Sequence, residues 1–343
     1  MQRLPIALDA MGADVPVRVI VAGAVRAAHD ANVPVVLVGD EKRLQNCLRA
    51  CDGEDLVRRG LLTISHASEV VDMQDEPSWA LRNKQDSSMA IACQLVKSGQ
   101  ACAALSAGNS GAVMAFAMIL LGRVRGVLRP CIATPLPRRV GQTLLLDAGA
   151  NTECTARHLV QFAYMGQLYM QQTAGIKRPR IGVLANGEEA SKGNAVTQQT
   201  LQWLDQGHVN VVGHCEGHDL FSEAVDVVVC DGFVGNVVLK CAEGCARFLV
   251  QLIRDTYKQA GIRGKLGAAL SAPVFQQLKK RIDPREFGAA PLLGLRGSVY
   301  ITHGNADAHC IDRALQRLHT DTDLPSADAM KQAMADCNAL FAT

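Results

Sequence analysis
The sequence predicts an α/β fold of three layers, α/β/α, around a mostly parallel sheet. Short apolar runs alternate with segments of helical periodicity almost from end to end. Several runs are unbroken Val, Ile and Leu, the composition of strands covered on both faces. The residues after the runs are rich in Gly, Asn, Asp and Ser, and in open α/β sheets ligands gather beyond the carboxyl ends of the strands.

In chain order the predicted strands are Leu4–Leu8, Val33–Val38, Leu61–Ile64, Ala101–Leu105, Cys131–Thr134, Thr143–Leu146, Arg180–Leu184, Val209–Val212, Val225–Val229 and Val299–Ile301. Helical periodicity fits Val17–His29, Glu41–Cys51, Ser88–Lys97, Val113–Leu121, Ala156–Gln172, Ala195–Leu204, Asn236–Lys258 and Ala306–Leu318. Ile262–Ile282 pairs with the helix before it as a hairpin at about residues 236–283. A polar connection, Thr320–Ser326, precedes a short amphipathic helix, Ala327–Leu340. No repeat, low-complexity segment or linker divides the chain, so residues 1–343 read as one two-lobed unit.

Composition narrows the function. The chain has 343 residues, 48% apolar and 20% charged, with a net charge of +2, an ordinary globular balance. Aromatics make up 4% and do not interleave with basic runs, which argues against nucleic acid. The twelve cysteines contain no C-x-x-C pair; Cys47/Cys51 and Cys241/Cys245 have helical spacing with no His placed to complete a metal site. The expectation is a reduced, cytoplasmic setting with no metal. Met1-Gln2-Arg3 runs straight into a strand, not a signal sequence, and no uncharged apolar run reaches membrane-spanning length. Neither G-x-x-x-x-G-K-[ST] nor an early G-x-G-x-x-G occurs, and no cofactor is expected.

The stretch Leu105–Ala112 joins a buried strand to an apolar helix through Gly108, Asn109, Ser110 and Gly111. A helix start offers unpartnered N–H groups and a positive dipole end, so this turn reads as an anion site. It also nearly matches the nucleophile elbow G-x-S-x-G, with His303 downstream as a base, which keeps a Ser hydrolase using Ser110 as an alternative. Lys84 and Ser88, with Arg82, Ser87 and Asp86 beside them, begin another helix; Asp86 is expected next to its N-cap. Lys192 and Asn194 follow Glu188 and Glu189 and precede a third helix. Other strand-end loops carry Asp9 and Gly12, Asp147 and Asn151, Asp231 and Asn236, and His303. These loops are expected to converge on one sheet edge as a shared pocket.

Leu4–Gly12, Lys84–Met89, Ser106–Ala112, Asp147–Asn151, Gly187–Asn194, Asp231–Asn236 with Lys240, and Ala290–Gly294 resemble, in order and spacing, the bacterial phosphate acyltransferase family. Ala13, Ser110, Pro135 and Asn305 depart from that family's usual residues without removing a charge. The resemblance implies transfer of a long acyl group from acyl carrier protein to inorganic phosphate. The acyl phosphate product would feed glycerol-phosphate acylation in phospholipid synthesis. It further implies a homodimer and a fold like isocitrate and isopropylmalate dehydrogenases.

On that reading, Gly108–Gly111 with Lys84 and Ser88 hold phosphate. Lys192 and Asn194 neutralise phosphate or the tetrahedral oxyanion, Asp231, Asn236 and Lys240 position the thioester or protonate the thiolate, and His303 is an acid or a structural cap of the last strand. Asp9, Gly12, Asp147, Asn151, Glu188, Glu189 and Lys240 complete the substrate site. A phosphotransacetylase using acyl-CoA and a non-catalytic carrier-binding protein are further alternatives. Phe248–Val250, Leu252-Ile253 and Lys279-Lys280-Arg281 give the hairpin a second reading, a projection that touches the inner face of the cell membrane or lines the acyl groove, beside an ordinary core or dimer pair. A membrane-bound glycerol-phosphate acyltransferase would then be a partner.

Overall fold
The computed structural model describes residues 3–282, 288–320 and 324–341, with side chains described only to Leu278 in the first stretch. Lys279-Lys280-Arg281 therefore lie outside the described side chains. The strands are β1 Ile6–Asp9, β2 Val35–Gly39, β3 Leu62–His66, β4 Ala103–Ser106, β5 Cys131–Pro137, β6 Gln142–Leu146, β7 Arg180–Leu184, β8 Asn210–Cys215, β9 Val227–Val229, β10 Ala290–Leu293 and β11 Ser298–Ile301. The helices are α1 Val17–Ala31, α2 Glu41–Ala50, α3 Glu54–Arg58, α4 Pro77–Asn83, α5 Ser88–Lys97, α6 Ser110–Leu120, α7 Ala156–Thr173, α8 Ala195–Leu204, α9 Gly232–Gln259, α10 Gly261–Ile282, α11 Ala308–Thr320 and α12 Ala327–Ala339.

All the strands join one sheet, in the order β3-β2-β1-β4-β11-β10-β5-β6-β9-β7-β8. The pairings are parallel except those of β10 with β11 and β5, and of β5 with β6. Three successive reversals leave the half around β1 and the half around β6 running in opposite directions. They are also offset. Ile301, at the end of β11, lies opposite Ala290, while Leu146, at the end of β6, lies opposite Ala133 in mid-β5. The carboxyl ends of the two halves thus meet from opposite directions near the middle of the sheet. This corrects the expectation of one shared edge: the loops leave two opposed edges, because β5 and β10 reverse the chain between them.

Apolar runs covered on both faces sort their side chains by period two. Leu144 and Leu146 pack with α7 and α12, whereas Leu145 joins the core under α5 and α6. Ile6 and Leu8 face α1 and α11, and Ala7 faces the α5 side. Helices therefore flank both faces, giving the three layers.

Elements absent from the sequence expectation have local reasons. Ala290–Leu293 is not among the predicted strands, and proline is disfavoured inside a sheet, yet β10 sits centrally with Pro291 opposite Tyr300. The helices α3 and α4 are too short to show periodicity. In α6 and α9 the first turns are glycine-containing, so propensity places the helix starts too late. Side-chain caps, Asn109 to the Ala112 N–H and Asp231 to the Val234 N–H, start them earlier. The cap of α5 is Ser87, with Asp86 beside it as expected, and Asp86 accepts from the Ser68 N–H. No helix among the described residues is long and apolar enough to cross a membrane.

Candidate active site
A cleft of about 720 Å³ opens where the two halves meet. Of the residues expected to act on a ligand, Gly108, Ser110, Asn236, Lys240 and His303 line it. The β4–α6 turn supplies one end. Ser110 and Gly111 are the first residues of α6, so their N–H groups have no intrahelical acceptor. The opposite wall is apolar, with Ile132, Leu136, Leu239, Ala246 and Leu278. An anion-binding helix start beside an apolar trough suits a ligand with a charged head and a hydrocarbon tail.

The other polar residues of the turn support it from beneath. Asn109 spends its amide on the fold: Oδ1 accepts from Ala112, and Nδ2 donates to the carbonyls of Met73 and Asp75, each at 3.0 Å. Asp9, buried at the end of β1, accepts from Ser88 Oγ at 2.6 Å, Ser106 Oγ at 2.7 Å and the N–H groups of Met11 and Gly12. Ser106 Oγ in turn accepts from the Gly108 N–H. Ser88 and Asp9 thereby fix the turn from below. Lys84 donates to the Val70 carbonyl and pairs with Asp75 at 2.6 Å and Asp72 at 3.3 Å. Burial opposes its charge, but the hydrogen bonds to Asp75 and Asp72 outweigh that and raise its pKa. Lys84 clamps the 72–75 loop that Asn109 also holds.

Asp147 plays the matching part at the end of β6. Its carboxylate accepts from the N–H groups of Ile132, Ala150 and Asn151 and from Asn151 Nδ2, the last at 2.8 Å. Burial raises its pKa against the pull of those donors. Asn151 accepts from the Gly232 N–H, bringing the start of α9 onto this loop. Closeness is enforced at Gly235, where an added Cβ would lie 2.9 Å from the Asp147 carbonyl carbon and nearer still to its oxygen.

From that start α9 projects one stripe into the cleft: Asn236, Lys240 and Glu243. Glu243 is a residue the sequence reading missed, although spacing of four and then three from Asn236 and Lys240 marks the same helix face. Lys240 Nζ lies 3.1 Å from one Glu243 oxygen, and His303 Nε2, from beyond β11, lies 3.1 Å from the other. The His303 contact is off the line of a formed hydrogen bond, leaving that buried oxygen otherwise unpartnered. Burial would raise the Glu243 pKa, but His303 and Lys240 outweigh it and hold it at about 2.

The β7–α8 loop leaves the same edge as the loops after β6 and β9, one strand beyond β9, and does not line the cleft. Asn194 caps α8 by accepting from Val196 and Thr197. Lys192 is exposed and makes no ion pair among the described residues. Glu188 groups with His218 and Asp219, their ligand atoms within 4.8 Å of one another, but Glu188 and His218 are exposed and Asp219 already accepts from the Glu216 N–H. At the cleft mouth Arg138 is committed to Asp226 at 3.0 Å and to the Val225 carbonyl.

A family model described as "Fatty acid synthesis protein" matches residues 4–321. A phosphate acyltransferase of Syntrophotalea carbinolica is 47% identical over 314 residues, covering 92% of this chain and 89% of its own. A solved phosphotransacetylase from Streptococcus pyogenes superposes with a TM-score of 0.56 at 14% identity, covering 97% of this chain and 94% of that one. A 4-hydroxythreonine-4-phosphate dehydrogenase from Klebsiella pneumoniae gives 0.50 at 13% identity, covering 93% and 100%. At these identities the two structures speak to the fold, and they share its layered, mostly parallel sheet.

Proposed function
The chain belongs to the phosphate acyltransferase family and is thus an enzyme that transfers an acyl group to phosphate; from that premise we propose that its donor is a long-chain acyl-acyl carrier protein. The acyl phosphate formed serves phosphatidic acid synthesis. The observation that carries this reading is the cleft itself, a helix start at one end and an apolar trough along α9. A short acyl group would leave most of that trough unfilled, which favours a long chain over an acetyl-type donor.

The chemistry needs no protein nucleophile, since phosphate is anionic at neutral pH. A phosphate oxygen bonds to the thioester carbonyl carbon, the carbonyl becomes an oxyanion, and the carbon–sulfur bond then breaks. The proton on hydrogen phosphate ends on the departing sulfur. Ser110 and the N–H groups of the β4–α6 turn hold the phosphate. Lys240, Asn236 and His303 attend the thioester, and Lys192 supplies a cation from the adjoining loop. Ser110 stands at a helix start suited to holding an anion, which favours a ligand over the hydrolase nucleophile.

The exposed apolar side chains of the α9–α10 hairpin, among them Phe248, Leu249, Ile262, Leu266 and Leu270, support a homodimer contact or peripheral attachment to the inner membrane face. Either fits a cytoplasmic enzyme delivering acyl phosphate to a membrane-bound glycerol-phosphate acyltransferase. The decisive assay traps acyl phosphate with hydroxylamine. Hydroxamate that appears only with phosphate and with carrier-bound acyl groups supports the proposal. Phosphate-independent release of fatty acid, or turnover confined to acetyl-CoA, would sink it.

A further inference from the structure
Glu243 is the one acidic side chain that α9 sends into the cleft, and its two oxygens face two different groups, the Lys240 ammonium and the His303 ring. Its side chain is only 12% exposed, yet His303, on a separate loop, remains 42% exposed beside it. His303 approaches through Nε2, and its Nδ1 has no partner among the described residues. A carboxylate facing one ring nitrogen keeps the proton there and makes the other nitrogen the base. The remaining charged groups around the cleft are otherwise placed: Asp14 sits by Gly304, Arg138 is held by Asp226, and Arg139 pairs with Glu223.

We propose that Glu243 is a positioning residue: it orients the His303 ring through Nε2 and leaves Nδ1 free to carry a proton from phosphate to the departing sulfur. His303 takes the phosphate proton as the new carbon–oxygen bond forms, and gives it to sulfur as the carbon–sulfur bond breaks. The proton count closes without a further reactant. Lys240 donates to the second Glu243 oxygen, which leaves the first facing the ring. The inference rests on the phosphate acyltransferase reading for its chemistry but on geometry for the pair.

The test is a double-mutant cycle with Glu243→Gln, which keeps the side chain's shape, and His303→Gln. Glu243→Gln should lower kcat by roughly tenfold or more, with the KM for phosphate within about twofold. In the His303→Gln background it should cost nothing further, because it acts through that ring. An equal loss in both backgrounds, or a change in KM alone, overturns the proposal. The imidazole nitrogen-15 signals of His303, assigned with His303→Gln, give a readout independent of turnover and of folding yield. They should move in Glu243→Gln, and unmoved signals refute the contact. A wild-type protein that forms no acyl phosphate would defeat the functional reading, while those signals would still decide whether Glu243 orients the ring.

Discussion

Gly235→Ala tests whether α9 must sit hard against the β6 loop. The added methyl would lie 2.9 Å from the Asp147 carbonyl carbon and 3.0 Å from the Cys230 sulfur. Ordinary contacts begin near ~3.2–3.5 Å and the Asp147 carbonyl oxygen lies nearer to the methyl than either of these atoms, so the helix or the loop must retreat by on the order of 1 Å or more. Both neighbours are held: Asp147 by four donors, Cys230 by the core. Overpacking of this kind costs about 1–3 kcal/mol. The retreat also displaces Asn236, Lys240 and Glu243, and misplacement on the order of 1 Å can cost up to about 100-fold in rate. Gly244→Ala is the control, since on the same helix its Cβ would meet nothing within 4 Å. That change should be neutral or stabilise by up to about 1 kcal/mol through helix propensity. Urea unfolding and phosphate-dependent turnover read both variants. Gly235→Ala within about 0.5 kcal/mol of wild type, with full turnover, would refute the close approach.

Other expectations follow from the same contacts. Glu243 has its pKa depressed in the folded protein from 4.5 to about 2, so its stabilisation is present above pH 4.5 and is lost as pH falls towards 2. The shift corresponds to at most about 3.5 kcal/mol, and about 1–2 kcal/mol after screening by water in the open cleft. The stability gap between wild type and Glu243→Gln should close over that acid window; a gap unchanged down to pH 2 contradicts the assignment. Ser110→Ala should raise the KM for phosphate at least about tenfold, since one hydrogen bond to a charged group is worth about 1.5–3 kcal/mol, and leave much of kcat; complete loss of turnover would instead mark a nucleophile. Lys192→Ala should lower turnover more than tenfold if its free cation meets the phosphate or the oxyanion, and a loss below about threefold removes it from the mechanism.

Much of the molecule was written locally. Continuous Val, Ile and Leu runs marked most of the strands, and the Gly-Asn-Ser-Gly turn marked the helix start that lines the cleft. The same local signals could not distribute roles among polar residues. Lys84, Asn109 and Asp147 looked alike as ligand groups, yet each is engaged with the chain itself. Which acceptors a side chain meets depends on elements brought together from far along the chain, and composition does not record that.

The sequence by itself determined the alternation of elements and the loops rich in ligand-type residues, because periodicity and turn chemistry act over a few residues. Tertiary structure decided that the sheet reverses at β5 and β10, so that two opposed edges share one cleft. It also decided that Glu243 meets His303 from a different element. Strand order and register arise from long-range pairing and burial, in which a proline-bearing segment such as Ala290–Leu293 becomes a central strand when its neighbours cover it.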